Sequence, residues 1–141
     1  MNHPTEIRDI ASLRLTEANC LFANYLYDGA FYLAGYALEL NFKAKICECL
    51  KIDDFYRNHA ARSDLSRVFL VHNLGRLLIL SGLYTAYETE KVTNPRLLAE
   101  WCCVLKWSET SRYDQCGTHL CQDAEDFINA VNYIIQWINL H

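Results

Sequence analysis

Three groups of residues carry side chains able to do chemistry. The densest is Cys116-Gly-Thr-His119-Leu-Cys121, three possible metal ligands within six residues, with Asp123 close behind as a fourth. Thiolate, imidazole and carboxylate all suit zinc, but zinc ligand pairs normally come from two separated segments, and this spacing matches no standard pattern. The residues read as partly buried thiols at a helix start, and no metal or cofactor is assigned. The second group is Glu39 and Lys43, set in a stretch that is otherwise almost uncharged. A carboxylate there is either catalytic or paired. Glu preceding Lys by four residues is the favourable orientation for an ion pair on a helix, so the pair reads as structural. The third group is Arg57, Arg62 and Arg67 in YRNHAARSDLSR, diluted by Asp53, Asp54 and Asp64. It reads as a solvated linker and not as a track for phosphates.

Composition bounds what must hold these groups. At 141 residues, 52% of them hydrophobic, the chain reads as one domain over 1–141, large enough to bury roughly two-thirds of the surface its unfolded form exposes. Residues 1–106 carry twelve basic and twelve acidic side chains, and the net charge of -4 falls entirely in the last 35 residues. A non-specific nucleic-acid binder needs a basic surface, and none shows by count. No uncharged run approaches the ~20 residues that cross a bilayer. MNHPTEIRDI lacks the apolar region of a signal peptide, so the chain reads as cytoplasmic with no membrane partner. Seven cysteines without a C-x-x-C pair read, in a reducing compartment, as small buried apolar side chains.

The positioning elements are all helices. Tyr27–Leu50 is the most apolar stretch, and only Asp28 and Glu39 are ionised from Tyr27 through Phe42. Small residues at Gly29, Ala30, Ala34, Gly35 and Ala37 alternate with bulky ones on every side, which predicts a central helix buried around most of its circumference and closely approached by its neighbours. Asp28 reads as its N-cap after a turn at Asp28-Gly29. A first helix is predicted from near Thr5 to about Asn24, with Ile7, Ala11, Ala18, Phe22 and Tyr25 as its stripe. A connecting segment over 52–66 precedes a short helix at Leu74, Leu77 and Leu78, capped by Asn73 and stopped at Ser81-Gly82. Tyr84–Val92 reads as a linker. Asn94-Pro95 opens another helix, expected to bury Leu97, Leu98, Trp101, Cys102 and Leu105.

Trp107–Gly117 reads as a polar loop before a last helix from about Thr118 to Leu140. That helix carries two apolar ridges. One is Ala124, Phe127, Ile128, Val131, Ile135 and Ile138; the other is Ala130, Tyr133, Ile134 and Trp137, with asparagines and a glutamine in the gap. Two ridges imply either deep burial or a face reserved for a second subunit. No Gly-rich phosphate loop and no repeat is present, which excludes Rossmann and P-loop nucleotide binding.

Gly29-Ala-Phe-Tyr-Leu-Ala-Gly-Tyr-Ala-Leu-Glu39 followed by Lys43-Ala44 resembles the second helix of the HEPN domain (higher eukaryotes and prokaryotes nucleotide-binding). The likeness continues through His72-Asn73-Leu74, Gly82-Leu83, Trp107-Ser108, Arg112-Tyr113 and Ala124 to Ile138, spanning about Ala11 to Leu140. The resemblance implies an all-α, antiparallel up-and-down bundle of about five helices that pairs as a homodimer. It also implies a prokaryotic toxin–antitoxin or defence setting, with a nucleotidyltransferase-like partner protein.

A catalytic branch of that family cuts RNA without a metal, using an arginine and a histidine with four to six residues between them. Arg112 and His119 meet that spacing just before the last helix, where the family places the motif. A neutral histidine there would take a proton from a ribose 2′-hydroxyl while the arginine stabilises charge on the phosphate. The helix dipole would disfavour the charged imidazole and keep the base available. Against this, Tyr113 stands where active members carry a polar residue, and Asp114, Asp123, Glu125 and Asp126 would repel a phosphate chain. Arg112 then becomes a loop arginine paired with Asp114 or Glu109. A second match, Arg67 with His72, spans apolar residues that read as buried, so His72 is assigned a helix-entry role with one hydrogen bond. The sequence therefore points first to a non-catalytic interaction module, with two alternatives: a ribonuclease using Arg112 and His119, and a nucleotide-binding domain using polar residues between the helices.

Overall fold

The computed structural model describes residues 3–52, 67 and 70–141. The connecting segment assigned to 52–66, with Arg57 and Arg62, lies outside the described residues except at Ile52. The described chain is helical throughout, without strands: α1 (Pro4–Ala23), α2 (Tyr27–Cys49), α3 (Leu74–Leu80), α4 (Tyr84–Glu90), α5 (Pro95–Val104), a 3-10 helix (Glu109–Tyr113) and α6 (Cys121–Leu140). Among the described residues no helix is long and apolar enough to cross a membrane.

The long helices form an up-and-down bundle. A three-residue turn, 24–26, reverses the chain between α1 and α2, a few residues before the Asp28-Gly29 turn that the sequence predicts. Tyr25 adopts a left-handed backbone (φ 62°) and is 79% exposed, so it belongs to the turn and not to the buried stripe of α1. Asn94 and Arg96 at the start of α5 meet Tyr133 late in α6, whereas Cys103 near its end shares a cleft with Asp126 early in α6; these two helices are antiparallel. α6 begins beside the start of α2, where Phe31 packs on Phe127 with ring centroids 4.1 Å apart.

α2 is the axis of the fold, as its composition predicts. One side contributes Phe31, Ala34, Leu38, Phe42 and Ile46 to the main core with α3, α5 and α6. The other side gives Leu40, Ala44 and Cys47 to a smaller cluster with Ile7 and Ala11 of α1. At Gly35 the approach is closest: a Cβ built there would lie 2.2 Å from Cδ1 of the Trp107 indole. The Trp107 Nε1–H donates to the Tyr32 carbonyl at 3.1 Å, so the ring lies across a bare stretch of helix backbone.

Local signals place the short helices. The Asn73 side chain accepts from the Arg76 N–H at 2.9 Å and caps α3; the Asn94 side chain accepts from the Leu97 N–H at 3.2 Å and caps α5. Gly82 follows α3 at φ 76°, a conformation that glycine adopts without penalty. Tyr84–Val92 is not a linker: most of it is α4. Seven residues are too few to display a period, and tertiary contacts hold them. Tyr87 packs on Trp101 at 5.5 Å, and the Glu90 carboxylate accepts from Trp137 Nε1–H at 2.7 Å. In α5, Leu97 and Trp101 are buried as predicted, while Leu98, Cys102 and Leu105 are exposed.

Both ridges of α6 are largely covered within the one chain. Ala124, Phe127, Ile128, Val131 and Ile138 of the first are buried, and so are Ala130, Ile134 and Trp137 of the second. Deep burial therefore accounts for the double pattern.

Candidate functional site

Two histidines sit on opposite stretches of α2, each held by a carboxylate of that helix. The first is His119, in the loop that leads into α6. Asp28 does not cap α2, whose first turn it occupies without a side-chain cap bond. Its carboxylate instead reaches across to the loop, accepting from the Gly117 N–H at 2.7 Å and the His119 N–H at 2.9 Å. The His119 amide holds the Asp28 carboxyl below the usual carboxylate range; partial burial opposes this and the Gly117 amide adds to it. Gly117 at φ 85° lets the loop present both amides to one side chain.

With its backbone fixed, the His119 ring stacks on Phe31, centroids 3.8 Å apart and planes 13° off parallel. Its Nε2 lies 3.2 Å from the Asp114 carboxylate. The adjoining cleft, about 130 Å³, contains Lys106 but also Asp123 and Asp126, and carboxylates in that number repel a phosphate chain. Arg112 is exposed on the 3-10 helix, its guanidinium 4.8 Å from the Tyr113 ring centroid. It pairs with neither Asp114 nor Glu109, because Asp114 faces His119 and Glu109 faces His72. Among the described residues Arg112 and His119 share no hydrogen-bond partner.

The second histidine is His72, just before the Asn73 cap of α3. Lys43 Nζ lies 2.5 Å from Glu39 Oε1, which is the ion pair the spacing predicts. His72 Nδ1 lies 3.0 Å from the same oxygen, and His72 Nε2 lies 3.3 Å from the Glu109 carboxylate. His72 therefore does more than make one helix-entry bond: it links a buried carboxylate to a surface one. Side-chain exposure rises along the chain, from 5% and 2% at Lys43 and Glu39 to 36% at His72 and 47% at Glu109. A carboxylate only accepts, so the imidazole N–H is the donor in a hydrogen bond to either of them. Beside it opens a cleft of about 320 Å³ that includes Arg76, Trp107, Ser108 and Thr110. Leu70, expected to be buried between Arg67 and His72, is 72% exposed, and Arg67 is a surface residue.

The remaining chemistry-bearing residues do not converge. Cys116, Cys121 and three other cysteines are exposed; only Cys47 is fully buried, and burial pushes its thiol up to about 11. The buried-thiol reading therefore applies to one position and, in part, to Cys103. Asp123 accepts from the Leu120 N–H at 3.0 Å at the start of α6. Among the described residues no three His, Cys, Asp or Glu side chains are placed to hold a metal ion. A polar groove of about 620 Å³ runs between α5 and α6, with Arg96, Asn129, Asn132 and Gln136 on its walls. Its Tyr133 carries the Arg96 guanidinium 4.6 Å from the ring centroid.

No protein-family model, curated protein or solved structure matches the chain. Of the residues with chemistry, sequence pattern found the Glu39–Lys43 pair, which is local. It missed the Glu109–His72 contact and the Asp28 staple, which bridge distant segments.

Proposed function

We propose that this chain is a non-catalytic helical interaction module of the HEPN type, working in a prokaryotic toxin–antitoxin or defence pair with a nucleotidyltransferase-like protein. The observation that favours a module over a ribonuclease is the separate commitment of Arg112 and His119. The arginine lies over Tyr113, and the histidine is stacked on Phe31 and turned to Asp114. A general base needs a free lone pair within reach of the substrate hydroxyl, with a cation at the same phosphate; here the two groups serve different neighbours. The family setting, the partner and self-association as a homodimer rest on the resemblance of α2 and the segments after it. The second ridge of α6 lends dimerisation no weight, being covered internally.

RNA offered to the purified protein, alone and with the product of a neighbouring nucleotidyltransferase gene, should remain intact on a denaturing gel, and His119→Ala should change nothing. Cleavage by the wild-type protein that His119→Ala abolishes would replace this reading with the ribonuclease one. Co-purification of the two gene products tests the pairing, and sedimentation tests the dimer.

A further inference from the structure

The cleft beside His72 combines imidazole, guanidinium and hydroxyl donors with a surface carboxylate that faces one of them. Glu39 and Lys43 are buried and neutralise each other, so they position the imidazole and add little net charge to the cleft. His72 faces outward from that support, and Arg76, four residues further on, lines the same cleft; its guanidinium makes no ion pair among the described residues. Ser108 and Thr110 line the same cleft, their hydroxyl oxygens 2.7 Å apart. Glu109, between them in sequence, sends its carboxylate to His72 Nε2. It is about half-exposed, and a contact between side chains so open to solvent is weakly held.

We propose that this cleft binds the phosphate of a small phosphomonoester, and that Glu109 is an internal stand-in which the phosphate displaces. A phosphomonoester presents three oxygens in a tetrahedron, which suits donors arriving from His72, Arg76 and the hydroxyls on different walls; a planar carboxylate satisfies fewer of them at once. A dianion also gains more from the Arg76 guanidinium than the single charge of a carboxylate does. At about 320 Å³ the cleft lies near the lower end of the roughly 300–1,000 Å³ of ligand pockets, which favours a compact ligand. The buried Glu39 keeps its hold on Nδ1 throughout, so binding costs the imidazole no reorientation.

The test is a titration of the full chain with inorganic phosphate at constant ionic strength, followed by NMR at the His72 ring proton, which is assigned by its loss in His72→Gln. Saturable movement of that signal is expected in the wild-type protein. Glu109→Gln, which removes the competitor from the surface, should lower the apparent Kd roughly tenfold, and Arg76→Gln should raise it by a similar factor. Acetate as a probe should bind more weakly than phosphate. If the His72 signal shows no saturable movement with phosphate, or if Glu109→Gln binds phosphate no more tightly than the wild type, the proposal is overturned. Acetate binding as tightly as phosphate overturns the choice of a phosphomonoester. Glu109 and Arg76 lie at the surface, so circular dichroism should show both variants folded. None of these outcomes bears on whether Arg112 and His119 cut RNA.

Discussion

His72 and His119 are both tethered to α2, and the manner of tethering separates them. At His72 the helix supplies a buried carboxylate to the ring itself, with Lys43 behind it, so the imidazole ends a charged series that begins in the core. At His119 the helix supplies a carboxylate to the backbone and an aromatic face to the ring; the carboxylate that meets the imidazole is Asp114, at the surface. The first arrangement orients a polar group outward. The second uses the histidine as a packing element that closes the entry to α6. A histidine near a helix start thus means little until it is known what holds its ring and what holds its amide.

Lys43→Met gives the largest expected effect, because it strands the Glu39 carboxylate in the core without the ammonium that faces it. Breaking a buried pair on one side costs about 3–5 kcal/mol, whereas replacing both charges costs much less. The midpoint of urea unfolding should therefore fall steeply in Lys43→Met and recover by at least about half in the Glu39→Gln/Lys43→Met double variant. Equal losses in the two would mean that the pair is not what supports His72.

Next comes Asp28→Ala, which removes the acceptor for two backbone amides at the other histidine. A loss of about 1–3 kcal/mol is expected, and hydrogen exchange at Gly117 and His119 should accelerate ahead of the rest of the chain. The depressed folded-state value of Asp28 gives a sign as well. Its contribution is complete above the unfolded carboxylate value of about 4 and is lost as pH falls through the lower folded value. Wild type and Asp28→Ala should therefore converge in stability in acid; a constant gap down to low pH would contradict the staple. The smallest effect belongs to His119→Ala. Losing the stack on Phe31 costs about 0.5–1.5 kcal/mol, read as a modest fall in melting temperature.

What was legible in the sequence was what is local. Asn73 and Asn94-Pro95 cap their helices because a cap needs only the next three residues. Glu39 meets Lys43 because four residues make one helical turn. The burial of α2 follows from its lack of charge. The contacts that were missed join distant segments: 89 residues separate Asp28 from Gly117, and 33 separate Glu39 from His72. No spacing rule reaches that far, so Asp28 reads as a cap for its own helix and Glu109 as a partner for Arg112. α4 escaped for the opposite reason, being shorter than the window in which a period shows. The exposed cysteines show that a residue type's usual burial does not fix its place on a given helix face.

The bare backbone at Gly35 has an effect beyond packing. Trp107 can lie against α2 only because nothing projects from that position, and Glu109 follows the indole by two residues. The reach of an acidic side chain toward His72 is thus gauged by one absent methyl group on a different helix. Were position 35 to acquire one, the indole would have to lift, and the carboxylate would be carried out of register with the ring it now faces.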